Sequence, residues 1–137
     1  MRSVTILAAL AVALVLVSAV DATGVNKRVQ FSSGASGTVL KGVVDPARAE
    51  RFTSGADTYV LAASAGQRME VRLEATGKAV LYVYHLNGGK DYNSGALSSQ
   101  TGNPLKAVVT LPSSGDYYVE VGSSGGAISY TLSVVIQ

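Results

Sequence analysis

The chain has 137 residues, 47% of them hydrophobic, with 11 Lys and Arg against 9 Asp and Glu for a formal net charge of +2. This near balance, with no Lys/Arg cluster along the chain, excludes a nucleic-acid partner, because phosphate neutralisation needs concentrated cationic side chains. Cysteine is absent, which excludes a disulfide framework and a lipidated cysteine and leaves packing and sheet hydrogen bonds to hold the fold.

In chain order, the first element is an export signal. Met1-Arg2 is a short basic start, Ile6 to Val17 is a run of twelve apolar residues, and small residues follow at Ser18, Ala19 and Ala22. Basic, apolar, then small is the order of a secretory signal peptide, and the run falls short of the ~20 residues of a membrane anchor. Both "VSA" (17–19) and "VDA" (20–22) suit a signal peptidase. Cleavage after Ala22 is the expectation, giving a signal peptide over 1–22 and one domain over 23–137. The processed protein is then periplasmic and not membrane-embedded.

The mature part reads as short strands between Gly/Ser turns. "MEVRLEA" sets Met69, Val71 and Leu73 on one face and Glu70, Arg72 and Glu74 on the other. "YYVEV" sets Tyr117, Val119 and Val121 against Tyr118 and Glu120, and "SYTLSVVIQ" sets Tyr130, Leu132, Val134 and Ile136 against Ser129, Thr131, Ser133 and Gln137. Such period-two alternation marks half-buried antiparallel strands. Arg28–Phe31, Thr38–Val44, Thr58–Ala63, Val80–His85 and Leu105–Leu111 are further candidates. Turn chemistry punctuates them at "SSGASG", "SAGQ", "ATGK", "NGGKD", "TGNP", "PSSGD" and "GSSGG". The nearest approach to a helix is "DPARAERF" (45–52), at most a short turn. About eight short strands predict an all-β, antiparallel β-sandwich, jelly-roll-like in topology. Its core should include Phe31, Leu40, Leu61, Met69, Val71, Leu73, Leu81, Leu111, Val119, Val121, Leu132 and Val134. The polar run from Asn87 to Pro104 is long for a loop in a domain of this size and reads as functional or mobile.

Catalytic chemistry finds little support. His85 is the chain's one histidine and reads as a half-exposed residue near a strand end. No Gly-x-Ser-x-Gly elbow is present. Glu70, Glu74, Asp91, Asp116 and Glu120 read as solvated charge rather than paired acids. No carboxylate spacing suits a metal, and no glycine-rich turn leads into a phosphate-binding helix. The sequence therefore predicts neither an enzyme nor a cofactor. What remains is recognition by loops and aromatics on a rigid scaffold. The aromatic set is seven tyrosines, two phenylalanines and no tryptophan, and tyrosine offers a flat contact with a polar end. Tyr92 in the long loop, Tyr117 and Tyr118 beside the Ser113–Asp116 turn, and Tyr82 and Tyr84 in one strand are the candidates, while Tyr59, Tyr117 and Tyr130 share faces with Leu or Val that equally suit core packing with the hydroxyl at the rim.

"VQFSSGASGTVLKGVV" (29–44), "DTYVLAASAGQRMEVRLEA" (57–75), "LPSSGDYYVEV" (111–121) and "SYTLSVVIQ" (129–137) occur in this order. Together they resemble the bacterial periplasmic inhibitors of goose-type lysozyme, within the β-sandwich modules related to pre-peptidase C-terminal domains. The resemblance implies that Ser114, Gly115, Asp116 and Tyr117 form the Ser-Gly-x-Tyr element, a turn that enters and blocks the lysozyme cleft, with Asp116 at the variable position. After Val121 relatives commonly carry a longer hairpin with arginines, where this chain has the short, uncharged "GSSGGAIS". The alternative expectation is a non-catalytic pre-peptidase-like module that binds glycan or an envelope protein through Tyr92 and its neighbours.

Overall fold

Alternating apolar side chains turn one face of every long strand inward, and two sheets close on one another around them. The structure, a computed structural model, describes residues 26–31, 35–48, 55–85 and 96–137. The expected signal peptide over 1–22 and the expected cleavage point lie outside these. Among the described residues nine strands are present: β1 (Asn26–Arg28), β2 (Gly37–Val44), β3 (Asp57–Ala63), β4 (Arg68–Ala75), β5 (Ala79–His85), β6 (Ala96–Gly102), β7 (Leu105–Thr110), β8 (Gly115–Ser123) and β9 (Ile128–Ile136). One sheet runs β1-β3-β8-β5-β6 and the other β2-β9-β4-β7. Every pairing is antiparallel except β1 on β3. Most connections cross from one sheet to the other, consistent with a jelly-roll-like winding. Among the described residues, no helix is long and apolar enough to cross a membrane.

The core is one cluster shared by the sheets. Tyr59, Leu61, Leu81, Val83, Tyr117, Val119 and Val121 come from the first sheet, and Leu40, Met69, Val71, Leu73, Tyr130, Leu132 and Val134 from the second. Every expected core residue is buried except Phe31, which is half-buried and packs against the cluster. Phe31 lies beyond the end of β1, which falls at Asn26–Arg28 rather than at Arg28–Phe31.

One further expectation changes. The ninth strand, β6, lies within the segment expected to be loop, where the hydrogen bonds of β5 recruit the polar "ALSSQTG" as an edge strand. Tyr92, also on that segment, lies outside the described residues. The segment 45–52 contributes a 3-10 turn at Pro46–Arg48, where Asp45 Oδ1 accepts the Ala47 N–H at 3.0 Å.

The β3–β8 ladder gives the sandwich two distinct ends. At one, Asp57 faces Val121; at the other, Ala63 faces Gly115, and neighbouring β5 brings His85 opposite Tyr117. The Ser113–Asp116 turn sits at this second end.

Candidate functional site

The turn before β8 is held at nearly every residue. Leu111 is buried, and its N–H donates to Gln67 O while its carbonyl accepts the Gly66 N–H, both at 2.8 Å. Ser114 Oγ accepts the Ala65 N–H at 2.9 Å. The β3–β4 turn that offers these groups is itself braced, with the Ser64 N–H donating to Gln67 Oε1 at 2.7 Å. Two turns distant in sequence are thus locked side by side. Gly115 has φ 143°, a conformation side chains rarely adopt, and a Cβ there would stand 3.2 Å from His85 Cε1. Glycine is required at this position on both counts.

Tyr117 closes the turn from below. Its ring is 0% exposed. Its hydroxyl donates to the Ser113 carbonyl at 2.5 Å and accepts the Ser113 N–H at 3.1 Å. His85, 7% exposed, stacks on this ring at 4.4 Å between centroids. Its Nδ1 lies 2.8 Å from the Asp116 carbonyl and its Nε2 lies 2.9 Å from Ser113 Oγ. A carbonyl can only accept, so Nδ1 carries the proton, and in the neutral ring Nε2 accepts from the serine hydroxyl. One imidazole therefore ties the first residue of the turn to the last.

The rim carries an ion pair. Arg28, from edge strand β1, reaches both carboxylate oxygens of Asp116, Nη1 to Oδ1 at 3.1 Å and Nη2 to Oδ2 at 2.6 Å. The two side chains are 48% and 42% exposed. The guanidinium holds the Asp116 carboxyl below the usual carboxylate range, first through this hydrogen bond and then through its charge. Beyond it, on the outer face of the same sheet, Tyr118 stacks on Tyr84 with ring centroids 5.1 Å apart.

Of the four residues expected at the site, Ser114, Gly115 and Asp116 come together at the surface, while Tyr117 turns into the core and supports them from there. His85 is buried rather than half-exposed, because β8 and the turn cover the end of β5. Sequence weighed His85 only as a strand-end residue and Arg28 only as the start of a strand, and neither these two nor the hydroxyl of Ser113 was expected to position the turn. The Ser113–His85 contact has the spacing of a nucleophile and its base. The group behind His85, however, is the Asp116 backbone carbonyl, and the Asp116 carboxylate is engaged by Arg28. Among the described residues, no group of three or more His, Asp or Glu side chains is placed to hold a metal.

Residues 55–123 match the bacterial pre-peptidase C-terminal domain family. No curated protein matches the chain. Among solved structures, the periplasmic inhibitor of g-type lysozyme from Aeromonas hydrophila, PliG, is 25% identical with a TM-score of 0.68, over 91% of this chain and 100% of that one. Its Salmonella Typhimurium counterpart is also 25% identical, with a TM-score of 0.59 over 84% of this chain and 100% of that one. The pre-peptidase C-terminal domain of a Bacillus anthracis collagenase, at 17% identity and a TM-score of 0.58, covers 80% of this chain and 93% of that one, and shares the fold.

Proposed function

Since the chain belongs to the bacterial pre-peptidase C-terminal domain family, we propose that it is a periplasmic inhibitor of goose-type lysozyme that blocks the substrate cleft with the Ser114-Gly115-Asp116-Tyr117 turn. Likeness over the full length of two inhibitors of that enzyme supports a binding, non-enzymatic role. The observation that carries the mechanism is the bracing of the turn by Tyr117, His85 and Ala65. A projecting turn already held in one conformation loses little ordering entropy on docking. Inhibition is then steric: Ser114, Gly115 and Asp116 occupy the cleft, and Tyr117 sets their height and direction from the core.

A muramidase assay with goose-type, chicken-type and invertebrate-type lysozymes in parallel tests this. Inhibition of the goose-type enzyme is the expected result, and full activity of that enzyme at saturating protein sinks the reading.

A further inference from the structure

The proposed turn carries a carboxylate on its rim, the 42% exposed Asp116, and the enzymes that hydrolyse glycans work with a pair of carboxyl groups in the cleft. An unneutralised Asp116 approaching such a cleft meets like charge, which disfavours docking. Arg28 cancels that charge and places guanidinium N–H groups beside it. Its Nη1 and Nη2 grip both oxygens of Asp116, and the fork geometry leaves Nε–H and the outward hydrogen on each Nη free in direction to donate elsewhere.

The placement follows from the sheet. β1 adds to β3 in parallel with Arg28 beside Val60, and Val60 in turn faces Tyr118. Arg28 thus lies on the outer face, one strand away from β8. To reach Asp116 it crosses β3 next to Ala62, the residue directly opposite Asp116. A methyl group there leaves the guanidinium its path. Both partners of the pair are close to half exposed, and solvent-exposed pairs contribute little to folding. The contact uses both Nη atoms and joins residues 88 positions apart.

We infer that Arg28 is a specificity-determining residue of the turn, the guanidinium through which an otherwise acidic tip engages carboxylates of a partner cleft. This rests on the proposed function. The test measures binding of goose-type lysozyme at low and at physiological salt by the whole protein and by Arg28→Met, Asp116→Asn and the double variant, with thermal melting alongside. The expected result is roughly tenfold weaker binding for Arg28→Met at low salt, mainly through slower association, with a flatter salt dependence. Asp116→Asn, which removes the carboxylate and leaves the guanidinium in place, should bind several-fold more tightly at low salt, with a steeper salt dependence. The double variant should recover part of the loss, since no bare carboxylate then remains. Melting should be nearly unchanged throughout, which separates a lost contact from a lost strand. If the parent binds and Arg28→Met binds equally well, Arg28 is no contact and the inference falls while the function stands. If the parent binds no goose-type lysozyme, function and contact fall together.

Discussion

The two ends of the sandwich solve the same problem, a tyrosine hydroxyl among apolar neighbours, in opposite ways. At the far end, Tyr130 O–H donates to the buried Asp57 carboxylate and accepts from Tyr59 O–H, each at 2.5 Å. Every member of that chain is buried. At the turn end, the hydroxyl of Tyr117 is used on the backbone of Ser113, and the groups it holds in place are solvent-facing. The first network consumes its polar groups internally and can only support the fold. The second converts a core residue into a fixed surface shape.

The largest expected effect is Tyr117→Ala, which removes a fully buried ring and should cost about 3–5 kcal/mol in denaturant unfolding. Lysozyme binding should be lost with it. A stable Tyr117→Ala protein would show that the turn end is not anchored through the core.

Next come two changes at the far end. Tyr130→Phe removes one hydrogen bond from Asp57 and one from Tyr59 and should cost about 1–3 kcal/mol. Gly42→Ala places a Cβ within 3 Å of the Tyr130 hydroxyl oxygen and two of its ring carbons and should cost about 1–3 kcal/mol through overpacking. Both variants, while folded, should inhibit as the parent does. Loss of inhibition in either, without unfolding, would erase the distinction between the two ends.

A smaller effect on stability but a larger one on inhibition is expected from His85→Phe. The ring still stacks on Tyr117, yet neither Ser113 Oγ nor the Asp116 carbonyl keeps its partner. Inhibition should fall several-fold more than the shift in melting explains, and His85→Gln, which offers a donor and an acceptor, should restore part of it. Equal inhibition by the phenylalanine variant would mean that Tyr117 suffices.

The smallest effects concern pH. Burial, foremost, raises the pKa values of Tyr59 and Tyr130. Groups whose folded pKa is raised contribute stability that is complete below their unfolded value, about 10 for tyrosine, and lost as pH climbs towards the folded value. Melting temperature should therefore decline above about pH 10, and Tyr130→Phe should flatten that decline. Burial likewise raises Glu120, which has the Tyr84 hydroxyl at 3.5 Å. Its ionisation opposes folding, so Glu120→Gln should raise melting slightly at neutral pH, with the gain vanishing as pH falls through the carboxylate range.

Alternation alone determined much of this protein. In β4, β8 and β9 a two-residue period places every buried residue on one face, so "MEVRLEA", "YYVEV" and "SYTLSVVIQ" specify both strand and core side. The Ser-Gly-Asp turn was legible for a similar local reason, since a glycine before a strand permits a backbone path other residues resist. β6 was not legible, because "ALSSQTG" has little apolar pattern and becomes a strand only through the hydrogen-bond edge of β5. Tertiary structure also decided what the turn is made of. His85 meets Ser113 across 28 positions and Arg28 meets Asp116 across 88, and neither contact has a local signature. Period and turn chemistry act between neighbours in the chain and are written in it; a hydrogen bond between strands depends on which strands lie side by side, and that is settled only when the sheets close.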